Sequence, residues 1–315
     1  MESTPRYPVV LLAFNRPELT TQVFEKIRAW KPSQLHLVVD GPRPGHPLDE
    51  ALVAQVKEVI SAVDWPCEVH EDFAESNMGL KARISSGLSG VFDNTDAAII
   101  LEDDCVPDLT FFSYSEELLH RYWETPEIGI IGGSSRLRGS RASDYSYDFS
   151  SDLRIWGWAT WARTWRKFID SGDLDASWTA SEREHILTQF PEGPRRASMS
   201  KMLVKAPELD SWALPFAVHC KMAGYLSTVP EVNLVENVGF GAQSTHTTFE
   251  DYVAQLPSES LAFPLRHPPI VRENPKVDRL ESSRDLSEWW RYPLRHPLDT
   301  LGRFLRYGLR RLRRL

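Results

Sequence analysis

Residues 97–108 read AAIILEDDCVPD, and this stretch decides the fold. An apolar run that begins at Ala97 ends in three consecutive acids, Glu102, Asp103 and Asp104. A short apolar run of this kind is typical of a strand that is covered on both faces. In α/β sheets, ligands bind beyond the carboxyl ends of the parallel strands. We therefore expect the three carboxylates to lie at the ligand-binding edge of a sheet.

The remainder of the first 135 residues alternates strand and helix signals. Apolar segments predict strands at 8–14, 35–40, 67–73, 97–104 and 128–133. Amphipathic segments predict helices at 17–30, 49–63, 78–92 and 108–123. Alternation of this kind indicates an α/β fold with a mostly parallel sheet flanked by helices.

From about residue 135 the alternation stops. The polar stretch 133–152 is rich in Ser and Arg and predicts a surface loop. RIWGWATWARTW (154–165) follows with four Trp, and 208–225 predicts a helix. We divide the chain into a first α/β half (1–135), a second half of the same domain (136–255) and a C-terminal extension (256–315).

Composition excludes several classes of protein. The formal net charge of −8 over 315 residues argues against general nucleic-acid binding. Cys67, Cys105 and Cys220 are widely spaced, show no zinc-binding pattern and fit a reducing compartment. The start of the chain lacks signal-peptide features, and no apolar run approaches the roughly 18–20 residues that span a bilayer. We expect a cytoplasmic protein.

The C-terminal residues 291–315 differ in charge from the rest. They hold eight Arg and one Asp, a local charge of +7, so the other 290 residues carry −15. Leu301, Phe304, Leu305 and Leu309 lie broadly on one helical face with Arg residues around them. This pattern predicts a basic amphipathic helix that binds the anionic inner face of a membrane. The alternative is a helix that packs on the acidic body or on a partner protein.

Three adjacent carboxylates at a strand end suit a hard divalent cation. Mg²⁺ or Mn²⁺ typically bridges one or two protein carboxylates to substrate phosphates. The alternative is a solvated turn in which Asp108 is the N-cap of the next helix. No Walker or GxGxxG spacing is present, which argues against P-loop NTPases and Rossmann dehydrogenases.

Six segments in order resemble those of nucleotide-sugar-dependent glycosyltransferases with the GT-A fold. They are VVLLAFNRPE (9–18), VVDGP (38–42), NMGLKARISSG (77–87), AIILEDDCVPD (98–108), RIWGWATWARTW (154–165) and NLVENVGFGAQSTHT (233–247). The chain is nearer to bacterial family-2-like enzymes than to the N-acetylglucosaminyltransferase I group, whose acidic motif is also Glu-Asp-Asp. The resemblance covers roughly residues 7–250 and implies a GT-A-like sheet.

The resemblance implies a set of contacts with a UDP-sugar. The end of the first strand would contact the nucleotide, with Arg16 near a phosphate, through Ala13, Phe14, Asn15 and Arg16. Asp40 would accept the imide N–H of uracil, unless it is simply a turn residue before Gly-Pro. The ribose and diphosphate would lie near Asn77, Lys81 and Arg83, for which a solvated helix face is the alternative. Trp158 joins this set on the sugar side.

The resemblance also assigns the metal. Asp104 would be a direct ligand, Asp103 would support the ribose or a metal-bound water, and Glu102 would lie on the sugar side or in the scaffold. His246 matches a late Phe-Gly…Ser-His stretch of the related group and would be a second ligand. Imidazole suits Mn²⁺, so we expect Mn²⁺ or Mg²⁺. The alternative for His246 is an ordinary loop residue.

An inverting transfer needs a general base for the acceptor hydroxyl. LDSWALPF (209–216) resembles the segment that carries this base, which makes Asp210 the candidate. The related group has two consecutive acids here, whereas this chain has Asp210 and then Ser211. If the second acid of that pair is the base, Asp210 lies one position away, and further candidates are Asp152, Asp173, Asp175 and Glu236.

The tryptophans near residue 158 have two interpretations. Trp156, Trp158 and Trp161 could form an aromatic platform for an acceptor sugar, or they could simply be core. Gly157 could let the backbone approach the donor sugar closely.

The expected function is a metal-dependent inverting glycosyltransferase that moves a sugar from a UDP-sugar to a lipid-linked or surface glycan. One alternative is a sugar-nucleotide nucleotidyltransferase, but this class would want a Gly-rich basic signature where the chain has AFNRPELT (13–20). The other is a non-catalytic glycan-binding or scaffold protein, against which the acidic triplet and His246 argue.

Overall fold

The computed structural model describes residues 6–190, 192–239 and 256–281. The strands are β1 (Val9–Ala13), β2 (Gln34–Val39), β3 (Glu68–Phe73), β4 (Ala97–Glu102), β5 (Cys105–Pro107), β6 (Ile128–Gly132), β7 (Tyr147–Ser150), β8 (Trp158–Trp161), β9 (Leu226–Pro230) and β10 (Val235–Asn237). The α-helices are α1 (Pro17–Trp30), α2 (Pro47–Ile60), α3 (Leu80–Asn94), α4 (Thr110–Arg121), α5 (Ala162–Ser171), α6 (Ala180–Thr188), α7 (Pro194–Lys205) and α8 (Ala213–Met222).

Eight of the strands form one sheet, in the order β3-β2-β1-β4-β8-β6-β9-β7. The first four are parallel, and β1 lies between β2 and β4, with Val9 opposite both Leu35 and Ile99. β8 is antiparallel to β4 and β6, β9 is parallel to β6, and β7 is antiparallel to β9. The predicted α/β class with a mostly parallel sheet and flanking helices is confirmed.

Both faces of β1, β2 and β4 are buried, as the apolar runs predict, whereas the edge strand β3 is largely exposed. Val9 and Leu11 pack in the core on the side of α1 and α2. Val10 and Leu12 pack on the opposite side, against α3. Successive side chains of a strand point to opposite faces, so a strand covered on both faces must be apolar throughout. This double burial fixes the strand ends on which the polar residues stand.

The second half of the chain contributes antiparallel strands that the sequence pattern did not predict. The stretch expected to be a surface loop contains β7, in which Tyr147 and Phe149 are buried. Its polar Asp148 accepts a hydrogen bond from Asn274 Nδ2 at 2.8 Å. A polar strand is tolerated here because a later segment satisfies its side chains.

That later segment, residues 256–281, runs back over the sheet. The Asn274 N–H donates to the Phe149 carbonyl at 2.8 Å, and Ser146 N–H donates to Arg266 O at 2.9 Å. The side chains of Leu261, Leu265 and Val277 within this segment are buried. The basic segment 291–315 lies outside the described residues, as does His246. Among the helices that the structure does describe, none has the length and apolarity to cross a bilayer.

Candidate functional site

A cleft of about 410 Å³ opens at the carboxyl ends of β1, β2 and β4. The first turn of α3 and the end of β10 form its other walls. The residues predicted from sequence that line it are Ala13, Phe14, Asn15, Arg16, Asp40, Asn77, Arg83, Glu102, Asp103, Asp104 and Asp210. The fold thus brings eleven separately predicted residues to one cavity.

The acidic triplet meets a cation from its own chain. Glu102 ends β4, and Asp103 and Asp104 follow in the turn before β5. Arg16 donates from Nη1 to Asp104 Oδ2 at 2.9 Å and from Nη2 to Asp103 Oδ1. The Phe14 N–H also donates to Asp103 Oδ2, at 3.2 Å. Arg16, which we expected beside a phosphate, therefore pairs with the triplet.

Crowding in the triplet changes its titration. Burial, together with the charges of Asp104 and Asp103, raises the pKa of Glu102 to about 8. Burial also raises the pKa of Asp103 to about 6, although Arg16 opposes the shift. Removing carboxylates from water and bringing them together both favour the neutral form. An additional cation at this strand end would favour the ionised form of both groups.

The donor set fits a hard divalent ion held largely by its substrate. Among the described residues there is no group of three or more His, Cys, Asp or Glu side chains arranged to hold a metal. One or two carboxylates are nevertheless enough where phosphate oxygens complete the shell, as is usual for Mg²⁺. The assignment of the ion to Asp104, with Asp103 beside it, stays a prediction, and the predicted ligand His246 lies outside the described residues.

The end of β10 lies directly on Asp104. β10 pairs antiparallel with β5, with Asn237 opposite Cys105. The Val238 N–H donates to Asp104 O at 2.9 Å. A Cβ on Gly239 would lie only 2.0 Å from Asp104 Oδ2, so this contact requires glycine. This described stretch of the chain thus ends at Gly239, beside Asp104.

The carboxylate of Asp40 is occupied within the protein. Its Oδ1 accepts from the N–H groups of Gly41 and Met78, each at 2.8 Å, and its Oδ2 accepts from Asn77 Nδ2 at 2.8 Å. These bonds tie the end of β2 to the loop before α3. Its contact with uracil stays a prediction, as does that of Asn77.

Asp210 lies against the first turn of α3. Its Oδ2 and Oδ1 accept from the N–H groups of Leu80 and Lys81, both at 2.8 Å. The N-cap position, Gly79, has no side chain for this role and adopts a φ of 83°. Asp210 therefore caps α3 from 130 residues away, close to the helix dipole. Its role as a general base stays a prediction.

One predicted contact is wrong, and two others, Arg83 and Lys81, stay predictions. Trp158 is fully buried and stacks on Trp212 with ring centroids 5.7 Å apart, so it is a core residue and not a ligand contact. The Arg83 guanidinium donates to Val39 O at 3.2 Å and pairs with Asp72 at 2.9 Å, which ties α3 to β2 and β3. Lys81 is absent from the residues that line the cleft.

The structure also describes Trp156, Gly157 and Trp161, the other residues that we expected near a sugar. Trp161 is also core, whereas Trp156 is half-buried and lines a second cavity of about 200 Å³. That cavity includes Ser134, Ser135, Arg136 and Arg154 and shares Asn237 with the cleft. A Cβ on Gly157 would meet Val235 Cγ2 at 2.4 Å, so this glycine serves packing against β10.

Sequence reasoning missed Arg43 and Asp49. Arg43 lines the cleft, with its guanidinium carbon 5.4 Å from the centre of the Phe14 ring. Asp49 is buried, and its Oδ2 accepts a hydrogen bond from Arg43 Nε at 2.6 Å. The loop GPRPGHP (41–47) marked a strand end, and its single Arg was the available signal.

Among the further base candidates, Asp173 and Asp152 are paired elsewhere. Asp173 bonds His219 Nδ1 at 2.8 Å, and Asp152 lies 3.5 Å from Lys221 Nζ. Neither lines the cleft, nor do Asp175 and Glu236. Asp210 is therefore the one base candidate of the five that the described structure brings to the cavity.

No family model matches the chain, and no curated protein matches it either. Solved structures match part of it. A 4-diphosphocytidyl-2C-methyl-D-erythritol synthase from Anaerococcus prevotii is 7% identical, with a TM-score of 0.34, covering 64% of this chain and 85% of that one. A UTP-bound UGPase from Acinetobacter baumannii is 10% identical, with a TM-score of 0.32 and coverage of 71% and 85%. A UDP-glucose pyrophosphorylase in complex with UDP-glucose is 8% identical, with a TM-score of 0.27 and coverage of 69% and 97%. These enzymes are nucleotidyltransferases.

Proposed function

We propose that the protein is a metal-dependent glycosyltransferase that uses a UDP-sugar. The observation that carries the proposal is the cleft itself, which gathers Arg16, the acidic triplet and Asp210 at the ends of parallel strands. Ligands of α/β sheets bind at such an edge. A cleft lined by carboxylates, a paired arginine and a further acid at the start of α3 has the groups that diphosphate departure and hydroxyl activation require.

In this proposal the triplet holds the diphosphate through a divalent ion. Mn²⁺ or Mg²⁺, when bound, would stabilise the charge that develops on the leaving UDP. Asp104 would hold the ion, and Asp103 would keep the end of β1 in place through the Phe14 N–H. Arg16 already lies against Asp103 and Asp104, so it would contact a phosphate after exchanging part of this ion pair.

Asp210 is the proposed general base. Both of its oxygens accept a backbone N–H, but a carboxylate offers about four lone-pair sites, so two remain for other donors. Asp210 lines the cleft, so an acceptor bound there would be within its reach. The acceptor hydroxyl would donate there before it attacks the sugar on the face opposite UDP.

The acceptor is proposed to be a glycan, lipid-linked or at the cell surface. The second cavity adjoins the cleft at Asn237 and offers hydroxyl, amide and guanidinium groups with one aromatic side chain, Trp156. Such groups suit the hydroxyls and the apolar face of a sugar ring. The basic segment 291–315 would hold the protein, from the cytoplasm, on the inner face of a membrane.

Nucleotidyl transfer is the second candidate. It is the class of the three solved structures named above, and it would use the same cleft for a nucleoside triphosphate and a sugar phosphate. The segment 13–20 lacks the Gly-rich signature expected after the first strand of that class. The two reactions release different products, so one experiment separates them.

The test incubates the full chain with Mn²⁺ and a panel of nucleotide-sugars, and in parallel with UTP plus a panel of sugar 1-phosphates. Metal-dependent release of UDP from a UDP-sugar supports glycosyl transfer, whereas release of pyrophosphate supports nucleotidyl transfer. Asp104→Asn should remove metal-dependent UDP binding. Asp210→Asn should keep binding and remove transfer to an acceptor. Metal-independent binding of UDP, or none, would refute the main proposal and favour a non-catalytic role.

The membrane proposal has its own test. Deletion of 291–315 should release the protein from vesicles that contain anionic lipid, while hydrolysis of the donor continues. Unchanged partition between vesicles and solution would refute this part of the proposal and leave the reaction unaffected.

A further inference from the structure

We propose that Asp49 is a positioning residue that sets the nucleoside end of the cleft for uracil, acting through Asn15 and Arg43. The inference rests on the proposed function, because it presumes that a nucleotide occupies the cleft. It adds a residue that does not itself line the cavity and that no strand-end pattern pointed to.

Asp49 lies in the first turn of α2, where Pro47 begins the helix. Its side chain is only 3% exposed. A negative charge in the first turn of a helix is favoured by the helix dipole. Burial of that charge is nevertheless costly unless hydrogen bonds satisfy it. The bonds that satisfy it therefore identify what the residue holds in place.

Two residues of the cleft wall supply those bonds. Arg43 donates to Asp49 from Nε at 2.6 Å, from Nη2 at 3.0 Å and from its backbone N–H at 3.1 Å. Asn15 donates from Nδ2 at 2.9 Å. These contacts, those to Arg43 first, hold the pKa of Asp49 well below its usual range, although burial opposes them. The ionised form of Asp49, which accepts hydrogen bonds, is therefore favoured.

The chemistry of a carboxylate fixes the orientation of both partners. An ionised carboxylate can only accept hydrogen bonds, so the Asn15 amide must turn its NH₂ group towards Asp49. The Asn15 carbonyl oxygen is then directed away from Asp49, and none of the described residues donates to it. The Arg43 guanidinium donates to Asp49 from two of its nitrogens and lies near the Phe14 ring. The wall presents an acceptor, a cationic donor and an aromatic face, all lining the cleft.

This combination fits uracil better than cytosine. Uracil carries an N–H at position 3 between two carbonyl oxygens, so it donates once and accepts twice. An oriented Asn15 oxygen would accept that N–H in place of Asp40, whose two oxygens already accept three hydrogen bonds, and a guanidinium suits a carbonyl oxygen. In the same pose, cytosine has an acceptor at position 3 and would face the Asn15 oxygen with a lone pair. Buried polar groups left without partners reduce affinity, which is how such a site selects its ligand.

The competing interpretation is that Asp49 only stabilises the loop 41–47. A purely structural clamp would affect all nucleotides alike. A positioning role predicts that the ratio of affinities for UDP and CDP changes, since the two ligands share the ribose and diphosphate and differ only in the base. That ratio is the readout.

The experiment measures Kd for UDP and CDP by titration calorimetry with Mn²⁺ on the full chain. Wild type should prefer UDP. Asp49→Asn is nearly isosteric, but an amide can donate or accept, so it no longer dictates the orientation of Asn15. We expect UDP affinity to fall about tenfold, the effect of losing one oriented hydrogen bond, while CDP affinity changes less.

The matched control is Asp64→Asn. Asp64 accepts from Arg28 Nε at 2.9 Å and from a second guanidinium nitrogen, but neither residue lines the cleft. This variant should leave both affinities within twofold. Should Asp49→Asn fail to fold, Asn15→Ala removes the proposed acceptor directly and should narrow the UDP preference in the same way.

Equal weakening of UDP and CDP in Asp49→Asn, no weakening, or no preference in wild type would each overturn the inference. Wild type that binds neither nucleotide would instead show that the proposed function has failed. The two failures are therefore distinguishable in one series of titrations.

Discussion

Replacing Gly239 by alanine should displace the Asp104 carboxylate without unfolding the sheet. A Cβ at this position would lie 2.0 Å from Asp104 Oδ2, 2.7 Å from Cγ and 2.9 Å from Cβ. Ordinary van der Waals contact begins near 3.4 Å, so the carboxylate oxygen must move by about 1.4 Å. Because the Cγ and Cβ atoms are also too close, rotation of the Asp104 side chain alone would not relieve the overlap.

The displacement is large compared with what a metal site tolerates. Ligand distances in such sites hold to about 0.2 Å, and a misplacement of about 1 Å in an active site can cost about 100-fold in rate. We expect Gly239→Ala to weaken Mn²⁺-dependent UDP binding by about 100-fold. The ion pair between Arg16 and Asp104 should be lost with it, since both need the same oxygen.

The assay is calorimetric titration of UDP with Mn²⁺, paired with thermal unfolding of the same samples. The control is Gly90→Ala, the same chemical change within α3 at a position where a Cβ meets nothing within 4 Å. Gly90→Ala should leave binding unchanged and stabilise the fold by about 0.5–1 kcal/mol. UDP affinity of Gly239→Ala within twofold of wild type would refute the assignment of Asp104.

Three further substitutions address the fold around the site. Trp158→Ala should lower the free energy of unfolding by about 3–5 kcal/mol in urea, since a fully buried aromatic side chain is lost; a loss below 1 kcal/mol would contradict its core position. Arg83→Met should lower stability by about 1–3 kcal/mol, because the hydrogen bond of its guanidinium to Val39 O and its ion pair with Asp72 are lost, while the folded fraction keeps its UDP affinity; a selective loss of affinity would show that Arg83 contacts the ligand. Burial, with the neighbouring His70 adding to it, lowers the pKa of His36 to about 4. As the pH falls, the unfolded chain therefore protonates His36 before the folded chain does. The contribution of neutral His36 to the free energy of unfolding is complete above pH 6.5 and is lost as the pH falls towards 4. Allowing for solvent screening, the loss is about 1–2 kcal/mol, and His36→Phe should remove it from urea titrations at pH 7 and 4.5; equal losses in both proteins would exclude His36 as the cause.

The parallel part of the sheet could be predicted because each of its strands has a local signal. β1, β2 and β4 are apolar runs, and each is followed by polar residues that the fold collects at one edge. β8 could not be placed in the same way. It inserts between β4 and β6 in the antiparallel direction, and nothing in the local pattern of residues 158–161 encodes that neighbour.

Some features of the candidate site could likewise be predicted from sequence, and others could not. Residue type and strand end were enough to predict that Arg16 and Asp104 share one cleft, and the resemblance of residues 209–216 added Asp210. The burial of Trp158 could not be predicted from sequence. The local sequence of such a Trp is the same whether its ring contacts a sugar or, as here, stacks on another Trp. Partners distant in sequence were equally hidden. No local pattern shows that Asp210 accepts hydrogen bonds from the start of α3.

The bond between Asp210 and α3 also bears on the order in which the protein folds. A nascent chain that has emerged only as far as residue 200 contains four parallel strands and the whole acidic triplet, yet the first turn of α3 has no cap. Contacts between residues 130 positions apart form late, because closing a long loop costs entropy before the contact repays it. The cleft should therefore be completed only after the last third of the chain has been added. A fragment cut before Asp210 would carry most of the residues that line the cleft but lack the carboxylate that caps α3.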